Sequence, residues 1–168
     1  MKKTITVLTN CLAATMLFAQ ATLPTSWSFS GNLPTGWSQS GMAYYTGSGN
    51  TPPAGKFDNT GDWLQINYSD DAGPLTYFLA GNSFTGGTFT VQESVNGISW
   101  TTLRTHTAPP TVYTQFTDNP QAASRYIRFY YTQKVTGNIG VDDVNLAVAP
   151  AGPQQEINVK FNNVSIAS

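Results

Sequence analysis

Phe89-Thr90-Val91-Gln92-Glu93-Ser94 alternates apolar and polar side chains, and after Asn96-Gly97 the run Ile98-Ser99-Trp100-Thr101-Thr102-Leu103 alternates again. Further along, Arg125-Tyr126-Ile127-Arg128-Phe129-Tyr130-Tyr131 repeats the pattern, Gly137-Asn138 breaks it, and Ile139-Gly140-Val141-Asp142-Asp143-Val144-Asn145-Leu146 resumes it. A side-chain period of two sends one set of residues to a core and the other to solvent, as half-buried antiparallel strands require. Asn-Gly and Gly-Asn tolerate the positive φ of tight hairpin turns. The stretch therefore predicts hairpins packed as two sheets, an all-β antiparallel sandwich.

The chain before this stretch reads the same way. Trp27 and Phe29 share one strand face and point to a core; Leu33-Pro34-Thr35-Gly36-Trp37 is a turn closed by an aromatic plug. Short strands follow at 43–45, 56–58 and 63–68, and the run Leu75 to Ala80 is apolar on both faces, as a central strand would be. A strand from Val112 to Thr117 turns across Asp118-Asn119-Pro120 to face the next one. About nine strands at this spacing suit a jelly-roll sandwich. Alternation assigns Trp27, Phe57, Phe89, Trp100, Ile127, Phe129 and Tyr131 to the core.

The two ends read differently. Lys2 and Lys3 precede a short apolar run from Ile5 to Phe18, and Ala19-Gln20-Ala21 is a small-x-small cleavage pattern. Residues 1–21 thus read as a secretory signal peptide, too short for a membrane span, with cleavage after Gln20 or Ala21. Its removal takes away Cys11, the only cysteine, so the sandwich in 22–148 has no disulfide to rely on. It also removes two of the eight Lys and Arg and none of the nine acids. With no basic stripe left, nucleic-acid binding is disfavoured. Ala147 to Pro153 is Ala/Pro/Gly-rich, so 149–153 reads as a linker and 154–168 as the truncated start of a second β domain.

Several of these motifs together resemble a known group. Leu33 to Trp37, Lys56-Phe57-Asp58-Asn59-Thr60-Gly61-Asp62, Ser94 to Trp100, Arg125 to Phe129 and Ile139 to Val144 resemble, in this order, the galactose-binding-like jelly rolls of the cleaved-adhesin type found in exported Bacteroidetes proteins. The resemblance covers 22–148. The piece Glu156-Ile157-Asn158-Val159 is similar to the opening of an immunoglobulin-like repeat. The resemblance implies a monomeric accessory module of a larger secreted or cell-surface protein. Such modules serve adhesion or flank nucleases, proteases and glycosidases. Members often carry an acid after the first-strand aromatic, where it helps hold a structural calcium; here Phe29 is followed by Ser30 and Gly31.

Catalysis finds little to work with. His106 is the only histidine, no Gly-x-Ser-x-Gly elbow exists, and Glu93 is the only glutamate before the linker. His106 reads as a surface residue at a strand end. No zinc set is available from one His and no Cys in 22–148. Asp142-Asp143 is the notable acid pair, because adjacent strand residues face opposite ways and one must approach the core. A buried carboxylate needs either a cation or several N–H donors, and calcium bound through Asp142 and Asp143 is one solution. Flat aromatics beside amides and acids suit a sugar, which has an apolar ring face and a rim of hydroxyls. Tyr44, Tyr45 and Trp63, near Asn50, Asn59 and Asp62, form the candidate site. The reading is a non-catalytic carbohydrate-recognition or adhesion module, with a glycan or extracellular protein as partner. The alternative is a structural spacer beside a downstream secreted enzyme.

Overall fold

The structure, a computed structural model, describes residues 19–150, and these form eleven strands in two antiparallel sheets. β1 is Thr25–Trp27, β2 Trp37–Ser40, β3 Ala43–Tyr45, β4 Ala54–Phe57, β5 Trp63–Asn67 and β6 Ala72–Thr85. β7 is Thr88–Ser94, β8 Thr101–His106, β9 Thr114–Asp118, β10 Tyr126–Gln133 and β11 Thr136–Val148. One sheet runs β3-β4-β11-β6-β9, with β1 also paired to β11; the other runs β2-β5-β10-β7-β8. Residues 1–18 of the leader expected at 1–21, and the second β domain expected at 154–168, lie outside the described residues.

The alternation that predicted a sandwich is what builds it. On β10, Ile127, Phe129 and Tyr131 are fully buried while Tyr126, Arg128 and Tyr130 face out half-exposed. Leu64 and Ile66 of β5, Phe89 and Val91 of β7, Leu75, Tyr77 and Leu79 of β6, and Ile139, Val141, Val144 and Leu146 of β11 complete one core. Trp27 and Phe29 are buried as expected and stack with ring centroids 4.4 Å apart. Each large side chain so buried contributes about 1.5–3 kcal/mol.

The folded body begins before residue 22. Ala21 is buried, and its N–H donates to the Asn67 carbonyl. At the other end, Ala149 N–H donates to the Asp71 carbonyl, so the chain stays fastened one residue into the expected linker.

Several local expectations are corrected. Asn96-Gly97 is not a two-residue hairpin turn. Asn96 Oδ1 accepts the N–H groups of Ile98 and Ser99, and Ser94 Oγ those of Asn96 and Gly97. These side-chain caps close a longer loop, and β8 starts only at Thr101. Trp100 consequently leaves the core and sits half-exposed at the sheet surface. Gly137-Asn138 lies within β11 rather than ahead of it, at a register shift where Gly137 takes φ of 72°. β9 does not pair with the strand that follows it: it joins β6 in the opposite sheet. The turn before Trp37 forms as expected, with Trp37 N–H donating to the Pro34 carbonyl and its ring buried, and Trp37 also opens β2.

β11 also breaks the parity assumed for Asp142 and Asp143. Asp142 pairs with Phe78 and Asn145 with Thr76, so Asp143 and Val144 together oppose Tyr77 alone. This is a β-bulge, and Asp143 takes φ of 45° to make it. The extra residue lets Val141 and Val144 both enter the core. It also separates the part of β11 that pairs with β4 from the part that pairs with β1.

Candidate functional site

The outer face of the five-stranded sheet is an aromatic and amide surface built from three cross-strand rungs. One rung runs Ser40–Trp63–Tyr130–Thr90, a second Ser38–Gln65–Arg128–Gln92, and a third Asn67–Tyr126–Ser94. Residues in a rung share a face and lie about 5 Å apart, close enough for rings and amides to form one continuous surface. Trp63, Tyr126 and Tyr130 are half-exposed on it. A groove of about 330 Å³ beside them is lined by Ser38, Trp63, Gln65, Asn67 and Tyr126 among others.

Arg128 organises the centre. Its guanidinium lies 4.0 Å from the Trp100 ring centre and 4.5 Å from that of Tyr130. Nε and Nη2 both donate to Gln92 Oε1, at 3.0 and 2.6 Å. Burial pulls its pKa down, opposed by Tyr130, yet a guanidinium stays charged at any ordinary pH. The cation–π contacts and the fork to Gln92 fix the two rings and leave Gln92 Nε2 as a donor. The surface therefore offers flat apolar faces edged by fixed polar groups.

The sequence-chosen site residues are not brought together. Trp63 lies on this outer face. Tyr44 pairs with Gly55 on the edge of the other sheet and meets Trp27 edge-on, centroids 6.1 Å apart. Tyr45, its neighbour on β3, faces the opposite way and accepts Asn138 Nδ2 at 3.1 Å. Asp62 is buried in the β4–β5 turn, where Oδ2 accepts the N–H groups of Asp58 and Asn59 at 2.8 Å each. Asn59 donates to Asp58 in that turn. Missing from the sequence reading were Arg128, Gln92 and Trp100. The outward phase Tyr126-x-Arg128-x-Tyr130 was the available signal.

Asp142 is fully buried by the 46–53 loop lying over the sheet. Oδ2 accepts Thr51 N–H at 2.9 Å and Oδ1 accepts Asp143 N–H at 2.8 Å, while Asp143 Oδ2 accepts Asn50 Nδ2 at 2.9 Å. Burial raises the Asp142 pKa, and the backbone N–H donors oppose the rise. A Cβ at Gly49 would stand 2.6 Å from Asp142 Oδ2, so the loop can lie this close only with glycine there. Among the described residues no three His, Cys, Asp or Glu side chains cluster as a metal set. The two aspartates and Asn50 offer hard oxygens, but too few for the six to eight calcium takes without backbone carbonyls and water.

His106 is not a surface residue. It is buried between Phe116 and Phe89, with Nε2 3.2 Å from Tyr77 Oη. Tyr77 donates its proton to Asp118 Oδ2 at 3.0 Å, and Arg104 Nε donates to Asp118 Oδ1 at 2.8 Å. Tyr77 has only one proton, so the His106 contact needs Nε2–H as donor. Burial first, then the Arg104 charge, lowers His106 to about 4. This network ties the edge strands β8 and β9 across the sandwich.

The two-sheet order, the β11 bulge and the paired first strand can be set beside known structures. The K1 cleaved adhesin domain of Lys-gingipain from Porphyromonas gingivalis W83 superposes with a TM-score of 0.62 at 18% identity, over 75% of this chain and 98% of that one. The fold is an antiparallel jelly-roll sandwich, as in that domain. The same jelly roll matches the C-terminal family 22 carbohydrate-binding module of Clostridium thermocellum Xyn10B, with a TM-score of 0.56 and 14% identity over 74% of this chain and 93% of that one. A family 29 carbohydrate-binding module matches at 0.53 and 15%, over 74% and 86%. No family profile and no curated protein matches the sequence. No helix among the described residues is long and apolar enough to cross a membrane.

Proposed function

We propose that this jelly roll is a non-catalytic binding module that holds a glycan on the outer face of its five-stranded sheet. The observation that carries the reading is the Trp63–Tyr130–Arg128–Trp100 array, with Gln65, Gln92 and Asn67 at its edges. Sugar C–H faces stack on Trp63 and Tyr130, and ring hydroxyls bond to the amides and to Arg128. Each half satisfies the other's chemistry, since a hydroxyl desolvated without a partner is costly. The likeness to carbohydrate-binding modules supports this reading at the level of fold. The one histidine is buried in a structural network, and the buried Glu93 carboxylate accepts Gln121 N–H.

The module acts outside the cell as part of a larger exported protein, recognising carbohydrate or mediating adhesion; the basic-apolar-small start of the sequence supports export. The spacer reading keeps the same fold and gives the face no ligand. A structural calcium at Asp142 and Asp143 is a secondary proposal, completed by Asn50 and backbone oxygens. Screening the chain against immobilised glycans tests the main reading. Reproducible binding lost in Trp63→Ala establishes it; silence from a folded chain favours the spacer.

A further inference from the structure

The six-stranded sheet has its own cleft on the face away from the core. Its floor is the registered row Ala80–Gly140, which carries almost no side chain. Tyr45 rises on one side and Tyr113 on the other, with Ser48, Asn82, Ser83 and Thr111 around the rim, enclosing about 230 Å³. The floor has to be glycine: a Cβ at Gly140 would stand 2.1 Å from Tyr113 Oη.

The polar groups here are fixed and only partly used. Tyr45 Oη accepts Asn138 Nδ2 at 3.1 Å and Asn82 Nδ2 at 3.5 Å, so its own proton is left to donate. Burial raises the Tyr113 phenol, opposed by the Ser48 hydroxyl beside it, so it too keeps its proton. No lining side chain carries a charge at neutral pH. The nearby cations are engaged: Lys56 pairs with Asp58 at 2.7 Å, and Lys134 bonds the Asp58 carbonyl and Asn138 Oδ1.

An ionic ligand would find no free counter-charge in this cleft, and an apolar one would strip water from amides and hydroxyls without replacing it. A neutral ring with hydroxyls on its edge and C–H on its faces fits the two phenols and the amides and hydroxyls around them. The volume falls below the range of drug-sized pockets, which suits one ring rather than a chain. We propose that this cleft binds a single neutral monosaccharide, as a second site on the opposite side of the sandwich. It shares no residue with the five-stranded face, so either site can fail without the other.

The test is titration of the isotope-labelled whole chain with D-galactose, D-glucose, D-mannose and D-xylose in turn. The readouts are the side-chain amide resonances of Asn82 and Asn138 and the backbone amides of Gly81 and Gly140. At least one sugar should give saturable shifts there, with a Kd on the order of 1–10 mM. Tyr45→Phe should weaken binding about fivefold, as expected for a lost hydrogen bond. Asn82→Trp, at an exposed position, should fill the cleft and abolish the shifts, while Trp63→Ala should leave them unchanged. Absence of shifts with all four sugars would overturn the proposal. So would shifts that persist in Asn82→Trp or disappear in Trp63→Ala.

Discussion

Lowering the pH from 7.5 to 5 should destabilise this sandwich through one residue, His106. The ring is 6% exposed and held near pKa 4 in the folded chain, against about 6.5 when unfolded. Between those values the unfolded chain binds more protons, so stability rises with pH. The contribution is complete above about 6.5 and is lost as the pH falls toward 4. By pH 5 the linkage amounts to about 2 kcal/mol relative to pH 7.5, or roughly 8 °C in Tm for a domain of this size. Asp142, whose pKa burial raises, is common to the parent and a His106 variant, so comparing the two isolates the His106 contribution. His106 is the only histidine, so its NMR titration has no overlap. The assay is denaturant unfolding at both pH values for the parent and His106→Phe, which can pack against Phe89 and Phe116 and leaves Tyr77 bonded to Asp118. The variant should lose most of the pH dependence. Parallel losses in the two proteins, or a measured His106 pKa near 6.5, would refute the buried-neutral assignment.

Four further outcomes follow from the same structure. Asp118→Ala strips the acceptor from both Tyr77 and Arg104 and should cost about 2–4 kcal/mol in urea unfolding. Asp142→Asn sets an amide N–H₂ or a weaker acceptor against the Thr51 and Asp143 N–H groups; it should cost about 1–3 kcal/mol and speed proteolysis within 46–53. Comparing the parent's Tm in calcium and in chelator tests the metal proposal: a rise with calcium supports it, and equal values remove it. A chain starting at residue 22 loses the Ala21–Asn67 bond and the buried Ala21 methyl. It should be about 1–2 kcal/mol less stable in urea than one starting at Gln20.

The sandwich was legible because β7 and β10 alternate, so Phe89, Ile127, Phe129 and Tyr131 could be placed before any pairing was known. Parity failed where the backbone departs from a plain strand. The bulge at Asp143 shifted the phase of β11, and the Asn96 caps lengthened a hairpin and moved Trp100 to the surface. Neither is written in apolar–polar order. The candidate face was half legible: β10 displays Tyr126, Arg128 and Tyr130 on one side. Their assembly with Trp63 and Gln92 depends on β10 lying between β5 and β7, which is long-range pairing and leaves no local trace. For the same reason Tyr44 and Tyr45, adjacent in sequence, were grouped with Trp63 although they belong to the other sheet and point to opposite faces of it. His106 looked exposed because its burial comes from β9 and β6, distant in sequence.

The most direct measurement is calorimetric binding of the best glycan from the array to the parent and to Trp63→Ala/Tyr130→Ala. Both side chains are half-exposed, so the double variant should fold with near-parent stability. Stacking of about 1–1.5 kcal/mol per ring should weaken binding by roughly 30-fold or more. Unchanged affinity in a folded double variant would place the glycan elsewhere and contradict the assignment of the five-stranded face.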